Sequence, residues 1–598
     1  MTSTKSTGKL LKRLWIHIRQ RRRKQLVYLF FLTILASVTE VVSISAIVPF
    51  LGVLTEPEQV FNYPAVQPFI HALGISSYEQ LPLPLTILFI CAALVAGMMR
   101  LLLLWATTRL SFATGADLSF EIYQRTLYQP YTTHLSRNSS EILNGVTTKV
   151  NSVIINVIVP ILFVLSSFFL ILAILVVLII IKPFVAFVSI SVFGIIYILL
   201  ALISRKKLLT NGEHIAREST QVIKCIQEGL GGIRDILIDG TQANYAKKYR
   251  TADLQLRYSQ GANIFISQSP RYAIEALGMM FIAVLAYFLT TQSGGIESAI
   301  PILGALALGA SRLLPLLQRM YLGWASLQGG LASLGDTIDL LDQTIPDYAE
   351  LPPPDPLSFQ KSLRFNNISF KYSEKSPWII KNVNYIISKG SRIGLIGSTG
   401  SGKTTLLDIF MGLLTPTEGE FEVDNQVITQ TNVRAWQAHI AHVPQNIYLA
   451  DSSIEENIAF GIPIEQIDKQ RVKHAAEQAQ ISDLIEGWPN QYQTSVGERG
   501  IMLSGGQLQR IGIARALYKQ VDVIIFDEAT SALDSKTEKS VMQSIENLSQ
   551  ELTILIIAHR QTTLKGCSHI IDLSDSKNIR VGSYDEIINI CDNDSSDL

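Results

Sequence analysis

Apolar and polar positions are distributed very unevenly along this chain. Nearly all long apolar runs fall before residue 325; beyond it, short apolar stretches alternate with charged and glycine-rich ones. A helix needs roughly 20 mostly apolar residues to cross the hydrocarbon core of a bilayer. Six segments reach that length: 26–54, 83–107, 157–181, 184–204, 271–291 and 297–323. The connections between them are unequal. Lys182-Pro183 and 291–296 are tight turns, whereas 108–156 and 205–270 are long, charged and helical in pattern, so the spans are expected to continue far beyond the membrane. Residues 10–24 mix Leu10, Leu11, Leu14, Trp15 and Ile18 with many basic side chains. They predict an amphipathic elbow helix on the inner leaflet, or else a plain basic tail. After the last span, Ile345-Pro346 and the run Leu351-Pro352-Pro353-Pro354-Asp355-Pro356 cannot continue a helix and favour extended polyproline conformation. The pattern therefore divides the chain into a membrane domain over 1–345, a linker over 346–361 and a soluble α/β domain over 362–598.

Charge sets the orientation. Arg19, Arg21, Arg22, Arg23 and Lys24 precede the first span, Arg109 follows the second, and Arg205, Lys206 and Lys207 follow the fourth. The segment 55–82 holds Glu56, Glu58 and Glu79 but no lysine or arginine. Positive residues stay on the cytoplasmic side, which puts both termini, both long loops and the soluble domain in the cytoplasm. Across all 598 residues, 50 basic side chains balance 50 acidic ones, so bulk charge suggests no nucleic-acid partner. Cys91, Cys225, Cys567 and Cys591 have neither metal-ligand nor disulfide-framework spacing. The first apolar stretch is too long for a signal-peptide core and lacks a small-residue cleavage pattern, so it is read as retained.

The soluble domain carries the chemistry. Gly397-Ser398-Thr399-Gly400-Ser401-Gly402-Lys403-Thr404 fits the GxxxxGK[ST] phosphate loop, with Thr405 next in the helix. Its glycines let backbone N–H groups approach phosphates, and the helix that follows adds its positive end. Lys403 would reach the β- and γ-phosphates and the Thr404 hydroxyl would ligate Mg²⁺, so ATP and Mg²⁺ are the implied cofactors. The loop follows a plausible strand over 391–396, which is the context it requires. Asp527 ends the apolar run Val523-Ile524-Ile525-Phe526, where a carboxylate is costly unless it meets a cation such as Mg²⁺. Alternation along a strand would aim the adjacent Glu528 elsewhere, as general base for an attacking water. Two helix-capping acids are the blander alternative.

Leu503-Ser504-Gly505-Gly506-Gln507, taken with the phosphate loop and Asp527-Glu528, resembles the nucleotide-binding domain of the ATP-binding-cassette (ABC) family. The resemblance implies further parts. Tyr372 is similar to the aromatic that stacks on adenine, and Gln445 in His442-Val443-Pro444-Gln445-Asn446 to the glutamine that contacts Mg²⁺ and the attacking water. Thr494 to Gly500, with Glu498, resembles the exporter X-loop, Ser531-Ala532-Leu533-Asp534 the D-loop, and His559 the switch histidine at the γ-phosphate. In that family the phosphate loop of one copy faces the LSGGQ of another across ATP. One intact copy of each motif implies a homodimer with twelve spans and two composite sites. Six spans followed by the cassette resemble an ABC exporter: an all-α six-helix transmembrane domain plus an α/β ATP-binding cassette. The turns near 131–146 and 231–250 would then touch the cassette, or else be ordinary solvated hairpins.

The cargo must be read from the membrane half. Arg100, Arg271, Arg312 and Arg319 lie in or beside spans, where each costs about 2.5–3.5 kcal/mol near a helix centre, so such residues usually face a cavity or a partner. Arg312 and Arg319 share a helix face two turns apart. Guanidinium forks suit phosphate oxygens, which points to an anionic head group such as a lipid pyrophosphate. Internal neutralisation is the alternative, Arg271 with Glu275 and Arg100 with Glu40. The membrane half also resembles the bacterial lipid-linked oligosaccharide flippases and related envelope-polysaccharide exporters, through Ser45-Ala46-Ile47-Val48-Pro49-Phe50, Pro270-Arg271 with Glu275 and Gly278, and Ser311-Arg312-Leu313-Leu314-Pro315. Gln445-Asn446-Ile447-Tyr448-Leu449 in the cassette fits the same subgroup. That resemblance implies a bacterial inner-membrane protein, a lipid or lipid-linked glycan as partner and a short external helix over 64–74. A multidrug or peptide exporter is the alternative; a peptide exporter with its own protease would carry a cysteine-protease domain before the elbow.

Overall fold

The computed structural model describes residues 6–587 apart from 47–49, 51–52, 54–57, 59–60, 63–76, 182, 291–294, 353, 530–532, 547–550, 559–560 and 575–578, together with a few side chains inside the membrane helices. The expected external helix over 64–74, the switch histidine His559, Ser531 and Ala532 lie outside the described residues, as does the side chain of Arg312. Contacts divide the chain into two units: Met1–Gln129 with Ser136–Pro346, and Pro130–Leu135 with Asp347–Leu598.

The first unit is helical. Helices Pro82–Leu127, Pro183–Gly231, Gln242–Thr290 and Gly295–Leu341 run for 46, 49, 49 and 47 residues. At about 1.5 Å per residue each is near 70 Å long, more than twice a hydrocarbon core of about 30 Å. The long charged loops are therefore helix, as their pattern predicts. Among the described residues three stretches are long and apolar enough to cross a membrane, Gln20–Ser43, Tyr78–Leu127 and Ser139–Val176. The remaining predicted spans fall on the helices Pro183–Gly231, Gln242–Thr290 and Gly295–Leu341. The turn expected over 231–250 is the short helix Ile233–Ile238 followed by Gly240 in left-handed conformation. A Cβ on Gly212 would stand 2.4 Å from the Gly329 carbonyl oxygen, so two of the long helices meet backbone to backbone there.

The elbow differs from its expectation. Its helix is Thr7–His17, Ile18 adopts extended backbone, and Gln20–Ser45 begins a new helix that takes in the basic cluster. Leu10 and Leu14 are buried in a cluster with Leu118, Ile122, Leu334, Ile338 and Leu341, so the apolar face covers protein, and Trp15 and Ile16 are what it leaves exposed. Charges fasten it there. Arg13 pairs with Asp342 and lies 3.1 Å from Asp339, while His17 Nε2 lies 2.7 Å from Asp342. On its other side His17 is 3.8 Å from Glu121, which Arg125 holds at 2.7 Å.

The second unit contains two sheets. Strands β1 (Ser362–Phe370), β2 (Ile380–Ser388), β4 (Glu418–Val423) and β5 (Gln426–Val427) form an antiparallel sheet in the order β2-β1-β4-β5. The other sheet runs β10-β9-β3-β8-β7-β6, with β3 (Arg392–Ile396), β6 (Ile440–Val443), β7 (Val523–Asp527), β8 (Thr553–Ile557), β9 (His569–Asp572) and β10 (Arg580–Gly582). It is parallel except at its β10 edge. Val523 to Phe526 are all buried, as a central parallel strand covered on both faces requires.

Candidate functional site

Parallel strands deliver the loops at their carboxyl ends to one edge, which is where ligands sit in open α/β sheets. The order β3-β8-β7-β6 places side by side the loop Gly397–Gly402 after β3, Asp527-Glu528 closing β7 and Gln445 after β6. Pairing of Asp527 with Ile557 fixes the end of β8 in the same row. Motifs separated by more than 100 residues in sequence thus become one site.

The loop is built for close approach. Gly402 has φ +95° and caps the helix Lys403–Phe410, and Gly397 has φ +150°, where a Cβ would stand 2.6 Å from Ser401 Oγ. Left-handed backbone of this kind favours glycine and bares N–H groups. Lys403 Nζ donates to the carbonyls of Gly397 at 2.6 Å and Ser398 at 3.0 Å, which folds the ammonium over the loop. Ser401 Oγ is buried with no hydrogen-bond partner among the described residues. A bare polar atom, a cation and open amides in one cradle fit a polyphosphate. Thr404 is exposed in the first helical turn, whereas Thr405 is buried and its hydroxyl meets the Tyr372 hydroxyl at 3.3 Å. Half of Tyr372 is exposed, with its ring edge-on to Phe370 at 5.0 Å.

The acidic pair separates, though not by strand alternation, because β7 ends at Asp527 and Glu528 lies beyond it. Burial and then the neighbouring Glu528 charge raise the Asp527 carboxyl above its ordinary range, and Lys403 partly offsets them. A carboxylate held at such a cost calls for a cation. Glu528 takes φ +51°, a sparsely populated conformation for a non-glycine residue, and is anchored by its N–H donating to Ile557 at 3.0 Å. From there its side chain accepts a 2.6 Å hydrogen bond from Gln445 Nε2. Gln445 and Glu528 are 83 residues apart, so the resemblance brought together a pair that the fold places in contact.

Ser504 caps the exposed start of the helix Gly505–Tyr518 through a reciprocal box with Gln507, at 3.3 and 2.8 Å. Among the described residues no hydrogen bond joins Ser504 to Gln507 with the loop Gly397–Thr404 of the same chain. Asp534 accepts the N–H groups of Lys536 and Thr537 and caps the next helix.

Sequence reasoning missed Asp408, one turn beyond the phosphate loop. It is buried, and burial with the charge of Asp527 pushes its carboxyl up to about 6. An acid inside the apolar run Leu406-Leu407-Asp408-Ile409-Phe410 was the available signal. Tyr131 opens the segment 131–146 singled out in the sequence, and burial first, then Asp408 and Tyr372, push its phenol up.

In the membrane unit the four arginines separate. Arg100 pairs with Glu40 at 2.9 Å and Arg271 with Glu275 at 2.9 Å. Arg319 makes no ion pair with a described residue, and it lines two cavities at once. One is a cavity of about 610 Å³ with a mixed polar and apolar lining that also touches Tyr197, Gln268, Arg271, Glu275 and Gln318. The other, about 980 Å³, is mainly apolar and borders the Glu40–Arg100 pair.

Residues 380–531 match the family model described as ABC transporter, and 26–301 the one described as ABC transporter transmembrane region. The chain belongs to the ABC transporters. Its membrane region precedes a single ATP-binding domain, the arrangement of an exporter half-transporter. A protein of Cupriavidus metallidurans named ATP-dependent lipid A-core flippase is 27% identical over 506 residues, 84% of each chain. One of the same name from Alkalilimnicola ehrlichii is 31% identical over 366 residues, 60% of this chain and 61% of that protein's length. The fold is that of a solved bacterial Atm1-family ABC exporter with ATP bound, at a TM-score of 0.77 and 22% identity, covering 95% of this chain and 96% of that one.

Proposed function

We propose that this ABC half-transporter is an ATP-driven flippase that moves an anionic lipid, such as a lipid-linked oligosaccharide, from the inner to the outer leaflet of a bacterial inner membrane. The observation that supports the cargo class is Arg319, a cation that borders a mixed and a mainly apolar cavity and makes no ion pair with a described residue, while Glu275 and Glu40 in those cavities pair with Arg271 and Arg100. A cation within a membrane-spanning helix is stabilised by an anion, and a head group beside an apolar chamber describes an amphiphile. The flippase names of the relatives support the same class. The division into a membrane domain over 1–345, a linker over 346–361 and a cassette over 362–598, with both termini cytoplasmic, belongs to this reading.

The chain works as a homodimer. In each composite site one copy supplies Tyr372 against adenine and Gly397 to Thr405 around the phosphates, with Lys403 on the β- and γ-phosphates. Its partner supplies Ser504, Gly505, Gly506 and Gln507. Asp527, the Thr404 hydroxyl and Gln445 would hold Mg²⁺, which supplies charge neutralisation at the phosphates when bound. Glu528, held by Gln445, takes the proton of the attacking water, and His559 contacts the γ-phosphate. Closure of the cassettes moves the segments 131–146 and 231–250 and opens the cavity outward. In proteoliposomes, Arg312→Ala combined with Arg319→Ala is expected to abolish lipid translocation per ATP hydrolysed. Unchanged translocation, or equal transport of uncharged drugs by the unaltered protein, would favour a multidrug exporter.

A further inference from the structure

The loop that carries Gln445 is held from outside itself. Between β6 and the helix Ile454–Ile458 the chain runs over 444–452 outside helix and strand, so its peptide groups need partners elsewhere. Asn457, fully buried, supplies several. Its Oδ1 accepts from the Ala450 N–H at 2.9 Å, and its Nδ2 donates to the carbonyls of Ala450 at 3.0 Å and Ser453 at 3.1 Å. Arg515 reaches the same loop from the helix Gly505–Tyr518. Its Nη1 donates to the Tyr448 carbonyl at 2.9 Å, Nε to the Asn457 carbonyl at 2.9 Å and Nη2 to Asn457 Oδ1 at 3.2 Å. The guanidinium also lies over the Phe460 ring, 4.5 Å from its centre. Helix and loop touch without a gap, since a Cβ on Gly512 would stand 2.4 Å from Ile447 Cδ1.

Charge does not explain why an arginine stands there. The acceptors of these three bonds are uncharged, and burial lowers the Arg515 pKa to about 10. What arginine alone offers is a rigid planar fork of donors that meets several acceptors at once, where lysine is a point charge on a flexible stem. Its shape then matters more than its charge. The loop so fixed is the one whose Gln445 donates to Glu528 at 2.6 Å, and the helix so joined is the one capped by Ser504. We propose that Arg515, acting through Asn457 and the Tyr448 carbonyl, is a positioning residue for ATP hydrolysis: it makes the Gln445 loop and the helix Gly505–Tyr518 one body and so keeps Gln445 against Glu528. This rests on reading Gln445 and Glu528 as the groups that hold the attacking water. A misplacement of about 1 Å caused far from the chemistry can cost roughly a hundredfold in rate.

The test uses the full-length protein in detergent, with kcat and KM for ATP, nucleotide binding and melting temperature read on each variant. Arg515→Lys keeps the charge and loses the fork. Its kcat is expected to fall roughly tenfold to a hundredfold, while KM stays within about threefold because the phosphate loop and Tyr372 are untouched. A double-mutant cycle separates positioning from general support of the fold. Gln445→Ala lowers kcat by itself, and adding Arg515→Lys to it is expected to change kcat by less than about twofold, because the side chain being positioned is gone. Losses that multiply, or Arg515→Lys with the original kcat, overturn the inference and leave Gln445 and Glu528 in their roles. Gln445→Ala with the original kcat overturns both. Where Arg515→Lys fails to fold, shown by lost melting and lost nucleotide binding, the unaltered protein decides. Amide exchange over 445–453 and over 505–518 is expected to slow together when ATP and Mg²⁺ are added, and protection confined to one segment overturns the single body.

Discussion

Replacing Glu528 by glutamine tests the hydrolytic site with little change in shape. Glutamine is isosteric and meets the same positive φ of 51°, so backbone strain is unaltered and the side chain still reaches Gln445. What disappears is the base. General-base catalysis contributes about 10²–10⁴ in rate, equivalent to ~2.7–5.5 kcal/mol at 1.36 kcal/mol per decade. Binding moves the other way. The Glu528 charge helps hold the Asp527 carboxyl above its ordinary range, and removing it makes Asp527 a better cation ligand. Hydrolysis is therefore expected to fall at least about a hundredfold, while the affinity for ATP with Mg²⁺ stays within about threefold of the original or tightens, a change under ~0.7 kcal/mol. Phosphate release and nucleotide binding on the same detergent-solubilised preparation measure both. Hydrolysis near the original rate would refute Glu528 as the base; loss of ATP binding in parallel would show that the residue holds the loop rather than the water.

Three further outcomes follow from particular residues. Chains bearing Lys403→Ala and chains bearing Ser504→Arg are each expected to be inactive alone, whereas mixed dimers regain activity because one composite site is intact; absence of recovery in mixtures shown to be dimeric counts against sites shared between chains. The carboxylates of Glu121 and Asp342, outweighing burial, raise the imidazole pKa of His17, which they face together with Arg13, Asp339 and Arg125. A raised folded value means that its contribution is complete below about 6.5 and is lost as pH rises through the folded value. Amide protection over 7–17 should then fall on that alkaline side, and His17→Ala should remove the dependence. Asp408, pushed up to about 6, has the opposite sense: its ionised form is disfavoured in the fold, so it destabilises increasingly as pH rises from about 3.9 through 6. Asp408→Asn is expected to raise thermal stability at pH 8 by about 1–3 kcal/mol, the scale of a shift of roughly two pKa units, and to make no difference near pH 4. Equal effects at both values would show that packing rather than charge decides.

The cassette was legible because its chemistry is dense and local. Phosphate binding forces glycines, a lysine and a hydroxyl into eight consecutive positions, and a strand ending in two acids signals its own cost. Contacts across long loops were less legible. That Gln445 donates to Glu528 follows from the order β8-β7-β6 and not from spacing. Asp408 was hidden for the reason that it matters, since a single acid in an apolar helix reads as one polar position on an amphipathic face. The elbow's packing partner was not legible. Leu10 and Leu14 mark an apolar face equally well whether it covers lipid or protein, and only the fold brings Leu118 and Leu334 beneath it.

The membrane half shows how far one rule about charge can be carried. Intramembrane arginines need partners, and four of them at first suggest a strongly basic cavity, doubled in a dimer. Glu40 and Glu275 change that count: Arg100 and Arg271 are answered within their own chain at 2.9 Å each. The Arg271–Glu275 pair then contributes polarity rather than net charge to its cavity, and among those of the four arginines whose side chains are described Arg319 is the one left without an ion pair to a described residue. A highly charged cavity would hold any phospholipid head and release it slowly, whereas arginines answered by Glu40 and Glu275 reduce that unselective attraction.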